Sequence, residues 1–142
     1  MGLLINSSLG LKLLDLSWCK INADDFIDLL RIIEGNKTLR DVKFANLSCG
    51  VSDTEQIAES LHNLIKKNKS LLHLDISHLP LKAENILKIC EACNKARTLV
   101  SIHLTNPTID TKELKMEIRK IMRPRKRLKD HQDCIEEPDS ED

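Results

Sequence analysis

The chain has 142 residues, which is enough for one domain or one short repeat array with a tail, and its formal net charge at pH 7 is zero. Hydrophobic residues make up 41% of the chain but aromatic residues only 2%, so aliphatic side chains must fill any core. This composition argues against a stacking platform for single-stranded nucleic acid, because bases need aromatic faces to stack on.

Membrane and secretory signals are weak in this sequence. No apolar run approaches the roughly 18 residues that span a bilayer, so no membrane partner is expected. The five cysteines form an odd set without the spacing of a disulfide framework, which indicates a reducing compartment. The cytosol is therefore the expected location.

An internal repeat organises most of the chain. The segment Leu11-x-x-Leu14-x-Leu16-x-x-Cys19-x-Ile21 fits the leucine-rich-repeat consensus at every defined position. The same pattern begins again at Leu39, Leu71 and Leu99, after intervals of 28, 32 and 28 residues.

Each copy combines two periodicities. Residues near 13–16, 41–44, 73–76 and 101–104 alternate as short strands. Apolar residues between them recur at helical spacing, and Ser52-Asp53-Thr54-Glu55 predicts a capping box that opens the second helix. Because neither element can bury its apolar face alone, the units must stack around a shared core.

These four copies resemble the ribonuclease-inhibitor-like type of leucine-rich-repeat protein, over residues 11–110. The resemblance implies an α/β fold: a short solenoid, shaped as an arc, with a parallel concave sheet and convex helices. That family includes inhibitors, immune receptors, GTPase activators and ciliary or cytoskeletal scaffolds. It therefore implies a non-enzymatic scaffold for protein–protein interaction without naming the partner.

The chain divides into four parts. Residues 1–10 are interpreted as the remnant of a preceding repeat or a partial N-cap, because Leu4-Ile5 aligns with Ile32-Ile33. Residues 11–110 form the repeats, 111–129 a capping helix with a basic stretch, and 130–142 a disordered acidic tail. An incomplete first unit predicts a truncated product or an end piece of a longer repeat protein, which self-associates through its N-terminal edge or needs a partner that covers it.

The repeats depart from the consensus at one position. Cys19 occupies the Asn/Cys place in the first copy, but Leu47, Leu79 and Pro107 occupy it in the others. Because these side chains cannot bond to the turn, locally irregular turns are predicted there.

The concave face is the candidate binding surface. Asp15, Lys43, Asp75 and His103 take the same outward-facing place on successive strands, so they should form a row of alternating sign. One interpretation is a self-satisfied charge ladder, and the other is a strip that docks a polar partner. The predicted partner-binding residues are Leu13, Asp15, Asp41, Lys43, His73, Asp75, Ser77, Ser101, His103 and Thr105.

A second candidate lies near the end of the chain. Residues 111–129 carry nine Lys or Arg against two Glu, and residues 130–142 carry seven acids without Lys or Arg. Arg123, Arg125, Lys126, Arg127 and Lys129 resemble a nuclear-localisation or polyanion-binding segment. The alternative is a solvated helix end that folds against the acidic tail.

Two further functions stay open. Leucine-rich repeats before an acidic tail are similar to nuclear-transport GTPase activators, although no Arg here matches their catalytic position. The second alternative is a nuclear or nucleic-acid-associated protein that uses residues 119–129, although nucleic acid is not the partner we expect. The nucleus and the cytoskeleton or cilium are the corresponding alternative locations.

Catalysis and cofactors are not expected. Cys90-Glu91-Ala92-Cys93 is the only C-x-x-C segment, and zinc would need two further ligands at a matching distance. Only four glycines are present and none form a phosphate-binding loop. The cysteines are therefore interpreted as structural.

Overall fold

Four strand–helix units follow one another in the computed structural model, which describes residues 10–50 and 53–122. The strands are β1 Leu13–Asp15, β2 Asp41–Lys43, β3 His73–Asp75 and β4 Ser101–His103. The helices are α1 Ala23–Gly35, α2 Thr54–Lys67, α3 Ala83–Lys95 and α4 Lys112–Ile121, and a short 3-10 helix, Pro107–Asp110, precedes α4.

The sheet is parallel throughout, with its strands in chain order. In each pair, residues at equivalent repeat positions are partners, as in Leu14 with Val42 and Leu74 with Ile102. Parallel neighbours require a crossover, and here each crossover is one helix. The predicted α/β repeat fold with four strands and four helices is confirmed.

The core lies between the sheet and the helices and consists of the consensus positions. Val42 and Leu74 point inward from the middle of β2 and β3 and are fully buried. The rings of Phe26 and Phe44 meet edge to face with centroids 5.0 Å apart, an arrangement that aromatic pairs favour. The inner units therefore share one continuous apolar layer.

The two ends of the described chain are covered differently. In the first unit Leu14 and Leu16 are only half-buried, whereas their counterparts Val42 and Phe44 are fully buried. At the other end α4 packs on the last unit through the buried Leu114. The predicted capping helix is thus present, and its N-cap Thr111 accepts a hydrogen bond from the Leu114 amide.

The predicted capping box at the second helix is wrong. The N-cap of α2 is Asp53, whose side chain makes no capping hydrogen bond. The Glu55 carboxylate is instead held by two residues of the next unit, Asn85 at 2.9 Å and Lys88 at 3.0 Å. The Glu55 side chain, which the local pattern assigned to the capping box, therefore forms a contact between units instead.

The turns after the strands are more regular than predicted. Trp18, Asn46 and His78 have φ values of 65°, 56° and 60°, so the first three units use the same left-handed turn. Leu47 and Leu79, which follow two of these residues, are buried rather than disruptive. The predicted irregularity is found only in the fourth unit, where the 3-10 helix begins at Pro107.

A buried asparagine links consecutive units on the side where each helix leads into the next strand. The Asn68 amide donates to the carbonyl oxygens of Ile33 and Asn36 at 2.8 and 3.0 Å. Its oxygen accepts from the backbone amides of Ser70 and Leu71 at 2.8 and 2.7 Å. One side chain thus satisfies four backbone groups, two of them in the preceding unit.

Some predictions lie outside the described residues. These concern residues 1–9, with the partial N-cap, and residues 123–142, with the basic stretch and the acidic tail. The domain division at those ends stays a prediction.

Asn68→Ala should lower the free energy of unfolding by about 2–4 kcal/mol, because buried backbone groups would lose their partners. Urea denaturation measures this change. Lys69→Ala is the matched control, since the Lys69 side chain is exposed, and it should stay within about 0.5 kcal/mol. Equal effects of the two variants would contradict the role given to Asn68.

Candidate functional site

The concave face carries two rows of side chains that run across all four strands. The strand register places Leu13, Asp41, His73 and Ser101 in one row. It places Asp15, Lys43, Asp75 and His103 in a second row, which is the order that the repeat alignment predicts. Because neighbouring strands lie about 4.8 Å apart, each row is a line of closely spaced side chains, all of them polar except Leu13.

The second row is not a ladder of ion pairs. Lys43 lies between Asp15 and Asp75 in register, yet within residues 10–50 and 53–122 its ammonium forms no ion pair within 4 Å with either carboxylate. Lys43 and Asp75 are half-buried, while Asp15 and His103 are exposed. The charges of the second row are therefore accessible to a partner.

The aspartates of this row are held by their own turns instead. Asp15 accepts a hydrogen bond from the Ser17 amide at 2.9 Å, and Asp75 accepts one from the Ser77 amide at the same distance. Hydrogen bonds from Ser17, with a smaller contribution from the charge of Lys43, lower the pKa of Asp15. Asp15 is thus held in its charged form.

The first row contains one cross-strand hydrogen bond. Nδ1 of His73 lies 2.6 Å from the Ser101 hydroxyl oxygen. Asp41 and Ser101 are half-buried, and His73 is exposed. Leu13, at the end of this row, is 48% exposed and is the row's apolar member.

The last two predicted residues differ in exposure. Ser77 is only 9% exposed, and its hydroxyl accepts a hydrogen bond from the Thr105 amide at 3.3 Å, so it stabilises the sheet more than it offers a contact. The side chain of Thr105 is exposed.

Sequence reasoning missed Trp18, the single tryptophan of the chain. It lies just beyond β1, where its amide donates to the Ala45 carbonyl, and its side chain is 79% exposed. Its place between consensus positions was the available signal, since such positions point outward. Large exposed aromatic side chains are typical anchors of protein interfaces.

The cysteines give no sign of a metal centre. No group of three or more potential ligands among His, Cys, Asp and Glu occurs in the described part of the chain. Cys90 is fully buried, and burial raises the pKa of its thiol to about 11. Cys93, aligned with core isoleucines, is only half-buried.

Known proteins resemble this chain in structure. No family model and no curated protein sequence matches it. The structure of leiomodin-1 actin-binding site 2 is similar with a TM-score of 0.69 and 18% identity, over 84% of this chain and 69% of that chain. The tropomodulin C-terminal domain from Caenorhabditis elegans is similar with a TM-score of 0.59 and 11% identity, over 85% of this chain and 88% of that chain.

These likenesses support the leucine-rich-repeat type of fold. At 18% and 11% identity they show a shared fold and nothing about function, and the ribonuclease-inhibitor-like subtype stays a prediction.

Lys43→Glu should lower the free energy of unfolding by about 0.5–2 kcal/mol, because it places three carboxylates side by side across β1, β2 and β3. The deficit should shrink in 1 M NaCl, where the screening length is only about 3 Å. Urea denaturation at low and high salt measures both effects. A deficit that salt leaves unchanged would point to lost packing of the lysine stem instead.

Iodoacetamide at pH 8 should modify Cys19 but spare Cys90 until denaturant is added. Cys19 is exposed, whereas Cys90 is buried and only about one thiol in a thousand is ionised at three pH units below its pKa. Peptide mass spectrometry measures the labelling. Native-state labelling of Cys90 at the rate of Cys19 would contradict its burial.

Proposed function

We propose that this chain is a non-enzymatic protein-interaction module whose partner docks on the concave face. The observation that carries the proposal is the pair of in-register rows, in which charged side chains lie side by side without forming ion pairs. Charges that no ion pair neutralises can select a partner of complementary charge.

The first unit adds apolar contact to these rows. Leu13 and Trp18 lie before and after Asp15, and both side chains are exposed. An apolar anchor beside fixed polar groups is the arrangement that gives protein interfaces both affinity and orientation. We place the centre of the interface on the first two units for this reason.

Actin is the first partner to test. Leiomodin-1 uses a domain of similar fold as an actin-binding site. This likeness favours the protein-binding interpretation over GTPase activation, and it favours a cytoskeletal location within the cytoplasm. The partner-binding role of the individual concave residues rests on their geometry and is part of the proposal.

Binding to purified actin, followed by co-sedimentation with filaments and by calorimetry with monomers, tests this function. Trp18→Asn removes the apolar anchor, and it introduces the residue that the second unit has at the same left-handed φ. This variant should fold normally and bind at least about tenfold more weakly. Lys43→Glu should also weaken binding.

The matched control is Lys82→Glu, an equal charge change at an exposed residue away from the concave sheet, before α3. It should bind like the parent chain. Full binding by both concave variants would show that the face is not the interface. If actin does not bind, actin is the wrong partner. The concave face is then tested with proteins captured from lysate by the parent chain. The Trp18→Asn variant should fail to capture each of them.

A further inference from the structure

The topology brings the same part of every unit to one edge of the solenoid. Each helix runs back across the sheet, so the helix ends and the turns into the next strands lie together. Contacts between units confirm this neighbourhood: Asn68 bonds to the Asn36 carbonyl, the Asn94 amide donates to the Ile121 carbonyl, and Arg40 donates to the Ser70 carbonyl at 2.8 Å.

Exposed cations occupy this edge in every unit. The turns after α1, α2 and α3 each carry one at the equivalent place, namely Lys37, Lys69 and Arg97, and all three side chains are exposed. We call these three residues the turn row.

The last turns of the helices add further exposed cations beside the turn row. They are Lys66 and Lys67 in α2, Lys95 in α3, and Arg119 and Lys120 in α4. Glu34 is the single acid within these last turns and the turns that follow them, and it pairs with Lys67 at 3.3 Å. We call this surface, with the turn row, the basic edge.

The opposite edge, where the helices begin, is acidic on balance, although it also carries the exposed Lys20, Lys82, Lys112 and Lys115. The first turns contain Asp24 and Asp25 in α1, Glu55 in α2, Glu84 in α3 and Glu113 in α4. Residues 1–110 hold equal numbers of acids and bases, 13 of each, so the segregation arises from the fold and not from composition.

Helix stability explains only part of this pattern. Each acid in the first turn and each base in the last turn stabilises the helix by about 0.3–1 kcal/mol through its interaction with the helix dipole. The turn row lies outside the helices, however, and no hydrogen bond or ion pair involves the side chains of Lys37, Lys69 or Arg97 among the described residues. The charges of these three side chains are therefore not taken up by any contact within the described residues.

We propose that the basic edge binds the surface of an anionic lipid bilayer. The turn row continues into the last turns of the helices, and most of these cations are lysines, whose flexible stems hold point charges away from the backbone. Helix carboxyl ends, which carry partial negative charge, lie behind them and oppose close phosphate contact. Such cations are suited to long-range attraction to a plane of anionic headgroups, in which several basic residues contribute at once.

Other partners fit this surface less well. Protein interfaces are depleted of lysine and enriched in aromatic residues, and no aromatic residue lies in the turns or last turns of the basic edge. The exposed Val100, which follows Arg97 at the start of β4, offers one apolar contact to lipid. No described helix is long and apolar enough to cross a membrane.

Attachment to a bilayer surface needs no spanning segment, whereas the expectation of no membrane partner considered only spanning segments. It is also independent of the concave face, so the two proposals can fail separately.

Co-sedimentation of the full chain with vesicles tests the proposal. The chain should bind vesicles containing 30% phosphatidylserine, release them as salt is raised, and ignore pure phosphatidylcholine. The triple variant Lys37→Glu, Lys69→Glu, Arg97→Glu should bind about a hundredfold more weakly. Each new carboxylate lies beside a helix carboxyl end and should lower the free energy of unfolding by about 0.3–1 kcal/mol, so thermal unfolding checks that the variant is still folded at the assay temperature.

The matched control reverses three exposed lysines on the opposite edge, in the triple variant Lys20→Glu, Lys82→Glu, Lys112→Glu. It makes the same change in net charge and should keep most of the binding. Equal losses in the two triple variants would show that net charge alone matters and would overturn the proposal.

Two further outcomes would also overturn it. Tighter binding to duplex DNA than to vesicles at the same salt would assign the edge to nucleic acid. Loss of vesicle binding on replacing Arg125, Lys126 and Arg127 by Gln, with full binding by the turn-row variant, would assign lipid binding to the basic stretch.

Discussion

The structure depends on the docking of one strand–helix unit against the next. A three-residue strand with one helix cannot bury its own apolar face, so each inner unit relies on both neighbours for its core. Asn68 makes this dependence specific, because its amide reaches the carbonyl of Ile33 in the preceding unit while its oxygen organises its own turn. The equivalent place after α3 is Ala96, so this link is not repeated there.

Stacking in register turns a repeated sequence into a surface. Equivalent residues of successive units become neighbours about 4.8 Å apart on the sheet. Asp15, Lys43, Asp75 and His103 are far apart in the chain and form one row. The same stacking gathers the turns at the helix ends, so the concave face and the basic edge arise from one constraint while differing in chemistry.

Much of the fold could be predicted because the repeat carries its own geometry. The position of Leu39, Leu71 and Leu99 fixed the strand register, and apolar spacing located the helices. The predictions that failed were those made from local sequence patterns, because contacts between units determine the positions of the side chains concerned. Glu55 binds Asn85 and Lys88 in the next unit instead of closing a capping box, and Leu47 and Leu79 pack into the core instead of disturbing their turns.

The candidate site was predicted in outline and less well in detail. Outward-facing strand positions follow from alternation alone, so the second row was predicted as a row, and the members of the first row were predicted only as individual residues. The exposure of Trp18, the burial of Ser77 and the absence of ion pairs along the second row depend on side-chain distances between strands, which no linear pattern contains.

The sequence by itself determined the repeat, the α/β class, the parallel order and the members of the concave rows, because periodicity survives in a linear chain. The tertiary structure alone decided where the charges lie. Residues 1–110 are balanced, with 13 acids and 13 bases, and the sequence does not show that equivalent helix ends gather at one edge. Each helix begins at one edge of the sheet and ends at the other, so acids of the first turns lie at one edge and bases of the last turns at the other.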